Sequence, residues 1–214
     1  MLHTILEYIK FILTSNNQHG IHSPFIYNLV IKCFYDNLIY GDYKLIAKYR
    51  SVLNNSKSVI SVKDLGAGSR VLKSNTRSIS DISKKAGITQ HRAKLLYRIV
   101  NYFKPSSILE LGTSLGISTC AISLGKSNAQ ITTIEGCLET ASVAKKQFKN
   151  FNLNNINLIV NEFDKELNNL KSQKFDLIYI DGNHQKEATI NYFNTLLNTV
   201  NNDSVVILDD IHWS

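Results

Sequence analysis

The sequence predicts an α/β protein built on a doubly wound parallel sheet, with helices on both faces and a helical extension before the first strand. Residues 107–211 alternate short apolar runs with helical stretches, and the connections between them are short. Several apolar runs end in an acidic residue. This is expected where strands covered on both faces bring ligand groups to their carboxyl ends.

Each element follows from a local pattern. The apolar runs predict strands near 107–112, 130–135, 156–161, 175–181 and 204–209, and the stretches between them predict helices near 117–125, 138–151, 164–171 and 187–200. The preceding part predicts helices near 2–14, 24–35 and 43–54, an irregular stretch at 55–78 and a long helix near 89–103. We therefore predict a helical and loop extension over 1–88, acting as a substrate cap or lid, and a ligand-binding domain over 89–214.

The first strand leads into a turn suited to a nucleotide-like ligand. Glu110 ends the strand, while Gly112 and Gly116 leave room for a backbone to approach a ligand closely. Ser118 lies where the amides of a helix N-terminus point outward. The second strand ends in Glu135, 25 residues after Glu110, near the interval expected for an acid that binds ribose hydroxyls. Together these two strand ends predict one binding site.

A second glycine-rich segment at 64–69 (DLGAGS) is a weaker candidate for the same role. The residues after it lack helical periodicity, and lysines stand where a strand-end acid would be needed. This segment is better explained as a substrate lid or a surface turn.

The charge distribution bears on the binding partners, and the cysteine content bears on the cellular environment. Residues 1–105 hold 16 Lys and Arg against 5 Asp and Glu, whereas residues 106–214 hold 8 against 12. A basic first half suits an anionic acceptor or nucleic acid, and a solvated lysine-rich surface explains it equally well. Three cysteines without metal-ligand spacing indicate core thiols in a reducing, cytoplasmic environment. No apolar run is long enough to span a membrane.

Four motifs in order, at 110–116 (ELGTSLG), 133–136 (TIEG), 176–182 (DLIYIDG) and 208–210 (LDD), resemble a known family. They are similar to the class I S-adenosylmethionine (SAM)-dependent methyltransferases, most closely the O-methyltransferase branch typified by catechol methyltransferases. The resemblance implies a Rossmann-like domain that binds SAM. It also implies in-line transfer of the methyl group to an oxygen of a small-molecule acceptor.

The resemblance also implies roles for individual residues. The turn at 110–116, helped by Ser118, would hold the methionine end of SAM, Glu135 the ribose, and Glu162 with Phe163 the adenine. The implied cofactor-binding residues are Glu110, Gly112, Thr113, Ser114, Gly116, Ser118, Glu135, Gly136, Glu162, Phe163 and Asp181.

A metal ion and a general base are implied in the same way. Two aspartates and an asparagine hold Mg²⁺ in the catechol-type enzymes, and Asp181, Asp209 and Asp210 match them, with Asp210 replacing the asparagine. His184 falls where those enzymes carry a catalytic lysine, so His184 and Asp181 are the implied catalytic residues. The alternative is that Asp181 contacts cofactor or substrate directly, that Asp209 and Asp210 orient loops, and that Lys186 is the base.

Other functions stay open at this point. Residues 80–96 resemble a helix-turn-helix, which would make the chain a nucleic-acid-binding or nucleic-acid-modifying protein. A SAM-binding protein without activity is a further alternative, and the glycine spacing counts against a nicotinamide dehydrogenase. Methyltransferases of this class normally continue past the fifth strand, so their C-terminal strands are expected to be missing here. Either the chain is truncated, or a partner such as a second copy in a homodimer covers that edge.

Overall fold

The computed structural model describes residues 2–15, 18–63 and 74–211. Contacts divide the chain into two compact units, Met1–Leu38 and Ile39–Ser214, so residues 39–88 share a unit with the sheet. The functional boundary at residue 88 stays a prediction. The glycine-rich segment at 64–69 lies outside the described residues. No described helix is long and apolar enough to cross a membrane.

The described part of the first unit contains two α-helices and a short 3-10 turn at Gln18–Gly20. Helix α1 spans Leu2–Thr14, and helix α2 spans Pro24–Leu29, continuing into a π-helical turn over Val30–Phe34. The Ser23 hydroxyl accepts the Ile26 N–H at 3.4 Å, so this serine caps α2 ahead of a proline in its first turn. The predicted helix over 24–35 is thus one helical stretch that changes its hydrogen-bond pattern part-way.

The second unit begins with helices and a small ribbon. These elements are α3 (Tyr43–Asn54), β1 (Val59–Ser61), β2 (Thr76–Ser78), α4 (Ile79–Lys85) and α5 (Gln90–Phe103). The two strands pair antiparallel, with Ile60 opposite Arg77. The prediction of an irregular stretch over 55–78 is therefore wrong at both ends, because strands of three residues are too short to show an alternating pattern.

The rest of the unit alternates strands and helices as predicted. The strands are β3 (Ser107–Leu111), β4 (Gln130–Glu135), β5 (Ile156–Val160), β6 (Leu177–Ile180) and β7 (Val205–Leu208), and the helices are α6 (Ile117–Gly125), α7 (Leu138–Asn150), α8 (Phe163–Asn169) and α9 (Lys186–Leu196). The strands are parallel in the order β5-β4-β3-β6-β7. The order reverses at β3, which confirms the doubly wound sheet and marks the crevice where such sheets bind ligands.

The two faces of the sheet have different cores. Leu109 and Leu111 of β3 pack in one cluster with Leu167 of α8 and Tyr192 of α9. Because side chains alternate along a strand, Glu110 between them points to the opposite face, toward α6. A second cluster joins residues of α3, α4, α6 and α7. Cys33, Cys120 and Cys137 are free thiols and buried, as predicted for core residues.

Helix α5 packs along the sheet domain instead of projecting from it. The Thr89 hydroxyl caps it by accepting the Arg92 N–H, and its residues Ala93 and Val100 are fully buried. Tyr97 of the same helix packs in a cluster with α3 and α6. This helix would be the recognition helix of the helix-turn-helix resemblance. Since its buried face is not free to enter a groove, the nucleic-acid alternative is not supported.

Candidate functional site

The turn after β3 depends on glycine at two positions. Gly112 has φ +104°, and a Cβ there would lie 2.1 Å from the backbone oxygen of Asp181, at the end of β6. Gly116 has φ +80°, and its Cβ would lie 2.5 Å from the Phe148 ring and 2.6 Å from the Tyr49 hydroxyl. Protein atoms thus fill the space beside both glycines. The glycines allow β6 and the core to approach the turn closely. From the sequence, we predicted that this space would receive a ligand.

Tyr49 of α3 contacts the turn from the protein core. Its buried hydroxyl donates to the Leu115 carbonyl at 2.9 Å, and its ring packs against Phe148 and Phe151. Burial raises the pKa of this phenol well above its usual range, so it remains a donor. Sequence analysis missed Tyr49, because nothing in a helical stretch 66 residues away indicates this contact.

Glu110 is completely buried under the turn, inside a network of hydroxyls. Its Oε2 accepts from Thr119 at 2.5 Å and from Thr133 at 2.6 Å. Thr113 and Thr133 are also 2.6 Å apart, and since Thr133 donates to Glu110, Thr113 must donate to Thr133. Burial raises the pKa of Glu110, while the hydroxyls of Ser118, Thr119 and Thr133 lower it in part. Among the described residues, Oε1 of Glu110 is buried without a partner.

Glu135 at the end of β4 is joined to the same turn. Its Oε2 accepts the Ser114 N–H at 2.7 Å, and its Oε1 accepts the Cys137 N–H at 2.9 Å. Burial raises the pKa of Glu135, and these N–H donors together with that of Gly136 offset part of the effect. Each carboxylate oxygen has a second acceptor site, so Glu135 can still accept from a vicinal diol.

The start of α8 lies beside the loop that follows β6. Phe163 packs edge-on against Tyr192, with ring centroids 5.6 Å apart, and a Cβ on Gly182 would lie 2.7 Å from the Phe163 ring. Glu162 precedes the helix and forms a 3.1 Å ion pair with Lys165. Of the two residues predicted to bind adenine, Phe163 therefore lies next to Gly182, and Glu162 directly precedes it in the chain.

Two carboxylates meet one phenol at the ends of β6 and β7. The Tyr179 hydroxyl lies 3.1 Å from Oδ2 of Asp181 and 3.1 Å from Oδ2 of Asp209. The hydroxyl has one hydrogen, so it can donate to only one of them at a time. Burial, followed by the charge of Asp209, raises the pKa of Asp181 to about 7, which relieves this crowding of negative charge.

Arg92 of α5 faces the same acidic edge. Its Nη1 lies 3.5 Å from Oδ1 of Asp209 and 3.5 Å from Oδ1 of Asp210. His184 faces the other side, with its Nε2 3.7 Å from Oδ1 of Asp181. The predicted metal ligands therefore lie near one another. However, within the described ranges no three His, Cys, Asp or Glu side chains are arranged to hold a metal ion.

The loop that carries His184 has an unusual backbone. Asn183 and His184 have φ values of +68° and +51°, a region that asparagine tolerates better than most residues. The Asn183 side chain donates to the Tyr192 hydroxyl at 2.8 Å, which holds the loop against α9. This loop carries His184, whose Nε2 lies 3.7 Å from Asp181.

The part of the chain that forms this site is similar to a known protein family. A family model described as a methyltransferase domain matches residues 109–211, which covers β3 to β7 and the turn, Glu135 and the acidic edge. Residues 109–211 are therefore similar to a methyltransferase domain. No curated protein sequence is significantly similar to the chain.

Solved structures of methyltransferases share the fold of this chain. The methyltransferase PaMTH1 of Podospora anserina, bound to S-adenosylhomocysteine (SAH), superposes with a TM-score of 0.61 at 16% identity, over 90% of this chain and 72% of that one. An O-methyltransferase of Bacillus cereus in complex with SAH gives 0.57 at 19% identity, over 86% and 75%. TomG of Streptomyces achromogenes, an O-methyltransferase in complex with SAM, gives 0.59 at 17% identity, over 86% and 72%.

Proposed function

We propose that this chain transfers the methyl group of SAM to an oxygen atom of a small-molecule acceptor. The observation that carries this proposal is the link between the turn after β3 and Glu135 at the switch point of a methyltransferase domain. The O-methyltransferases of similar fold, some of them bound to SAM or SAH, support both the cofactor and the oxygen acceptor.

The cofactor lies across the carboxyl ends of β3, β4 and β6. The turn from Glu110 to Gly116, with Ser118, holds the methionine end. Glu135 accepts from the ribose hydroxyls with the acceptor sites that Ser114 and Cys137 leave free. Glu162 and Phe163 contact the adenine beside Gly182.

Methyl transfer proceeds by in-line displacement. The acceptor oxygen attacks the methyl carbon, the carbon–sulfur bond breaks with its electron pair going to sulfur, and SAH leaves. The acceptor proton passes to His184, which Asp181 orients from 3.7 Å. Positioning can contribute about 7–11 kcal/mol, whereas a general base contributes about 10²–10⁴-fold, so most of the acceleration comes from holding the reactants in line.

The residues at the acidic edge are not arranged as a Mg²⁺ site. The carboxylates of Asp181 and Asp209 are oxygen ligands of the kind that Mg²⁺ prefers, but in this arrangement they face Tyr179, His184 and Arg92. The basic charge of residues 1–105 suits an acceptor that carries an anionic group. A homodimer and a cytoplasmic location stay predictions; sedimentation analysis would test the first.

Calorimetric titration with SAH, followed by an acceptor screen with methyl-labelled SAM, tests the function. We expect saturable SAH binding and transfer of label to phenols or other hydroxyl compounds. A chain that binds SAH but labels no acceptor would be a silent SAM-binding protein. A folded chain that does not bind SAH would contradict the proposed site.

A further inference from the structure

Arg92 lies where a divalent cation would be expected in the acidic edge. Its Nη1 contacts Asp209 and Asp210 at 3.5 Å each, across 117 residues of sequence. The Thr89 cap fixes the first turn of α5, from which this side chain extends. Although the Arg92 side chain is 55% exposed, its nitrogen lies near two carboxylates at once, and a guanidinium stays protonated at any ordinary pH.

The carboxylate oxygens of Asp181 and Asp209 also face protein groups. Oδ2 of Asp181 and Oδ2 of Asp209 share the Tyr179 hydroxyl, and Oδ1 of Asp181 faces His184. Oδ1 of Asp209 additionally accepts the Asp210 N–H at 2.9 Å. Mg²⁺ requires oxygen ligands at about 2.0–2.1 Å in near-octahedral geometry. The oxygens of Asp181 and Asp209 point at organic donors, so they do not converge on one ion.

We propose that Arg92 takes the place of the Mg²⁺ that the resemblance implies at Asp181, Asp209 and Asp210, so that methyl transfer by this chain is independent of a divalent metal. This inference rests on the proposed function for its catalytic part, and on the contacts of Arg92 alone for its metal-binding part. The guanidinium neutralises the carboxylates and holds the end of β7 against α5. It cannot polarise the acceptor oxygen as a Lewis acid, which leaves removal of the acceptor proton to His184.

Mg²⁺ titration by calorimetry, with Mg²⁺ itself as the probe, tests the metal-binding part. For the unaltered chain we expect no saturable binding in the millimolar range. Arg92→Ala removes a unit positive charge from beside the carboxylates. Two unit charges about 4 Å apart interact by about 1 kcal/mol in water, so the repulsion between Arg92 and a divalent ion is at least that large. We therefore expect Arg92→Ala to bind Mg²⁺ at least about fivefold more tightly than the unaltered chain.

Two further variants make the test specific. Lys84→Ala removes the same charge from an exposed site on α4, so a general change in net charge would appear there as well. We expect it to bind Mg²⁺ like the unaltered chain. Adding Asp209→Asn to Arg92→Ala replaces one carboxylate by a neutral amide and so cancels the charge change made by removing Arg92; we expect the gain in Mg²⁺ affinity to disappear.

The inference is overturned by either of two results. One is saturable Mg²⁺ binding by the unaltered chain that Asp209→Asn abolishes. The other is an Arg92→Ala variant that keeps its circular dichroism spectrum and gains no Mg²⁺ affinity. Methyl transfer that survives EDTA supports the catalytic part, and transfer that EDTA abolishes and Mg²⁺ restores contradicts it. If SAH does not bind at all, the proposed function fails, while the Mg²⁺ titrations still report on Arg92.

Discussion

Replacing Gly112 by alanine tests the geometry on which the cofactor site depends. The new Cβ would lie 2.1 Å from the Asp181 carbonyl oxygen and 2.8 Å from its carbon. Both are backbone atoms at the end of a central strand, so neither can move aside as a flexible side chain would. The residue would also keep φ near +104°, where an L side chain is strained.

The expected destabilisation follows from these two costs. A non-glycine residue in a sparsely populated backbone region costs about 1–3 kcal/mol, and forcing extra volume into a packed site costs about 1–3 kcal/mol more. We expect Gly112→Ala to lower the free energy of unfolding by about 2–6 kcal/mol, a large part of the 5–15 kcal/mol typical of a domain. Moving the turn away from β6 should also weaken SAH binding by more than about tenfold, or about 1.4 kcal/mol.

Urea denaturation and calorimetry with SAH measure the two effects. Gly41→Ala is the matched control, because nothing lies within 4 Å of the Cβ it would add. We expect that control to leave SAH affinity unchanged and to alter stability by less than about 1 kcal/mol. If Gly112→Ala matched Gly41→Ala in both measurements, the close approach of β3 and β6 would not be what shapes the turn.

Three further substitutions separate support, binding and chemistry. Tyr49→Phe leaves the Leu115 carbonyl unpaired in the core, so urea denaturation should show a loss of about 1–3 kcal/mol; an unchanged midpoint would exclude support of the turn by this hydroxyl. Protonation of Glu135 removes its negative charge and uses one of its acceptor sites, and burial raises its pKa. SAH affinity should therefore fall on acidification at a higher pH than for an exposed glutamate, and Glu135→Gln should bind SAH weakly at every pH. If the unaltered chain and Glu135→Gln showed parallel pH profiles, the binding role of Glu135 would be contradicted. His184→Ala should lower kcat by about 10²–10⁴-fold with SAH affinity unchanged, and a normal kcat would transfer the base role to another group such as Lys186.

The sequence predicted the parts of the site that short-range patterns control. Glu110 and Glu135 end strands whose apolar runs are plain in the sequence, and parallel strands bring such ends to one edge. The helix predicted near 89–103 likewise matches α5, which begins at the Thr89 cap and ends shortly before Pro105, since caps and breakers act over a few residues. For the same reason, the central sheet could be predicted strand by strand.

The contacts that the sequence did not indicate join distant segments. Tyr49 reaches the turn from α3, and Arg92 meets Asp209 and Asp210 only after the whole sheet has formed. The orientation of Glu110 followed from strand alternation, but its hydroxyl partners depend on the register of β3 with β4, where Glu110 lies beside Thr133. Register and tertiary packing are set by the complete fold, so a local pattern does not reveal them.

The two N–H groups that hold Glu135 lower the entropy cost of exchanging one ligand for another. A glutamate side chain loses about 1.5–2 kcal/mol of rotamer entropy when it is immobilised. Because the N–H groups of Ser114 and Cys137 hold this side chain, that loss accompanies folding and is not incurred again at each encounter with a nucleoside. The pocket is preorganised at its ribose end, so spent and fresh cofactor can replace one another without this carboxylate changing its rotamer.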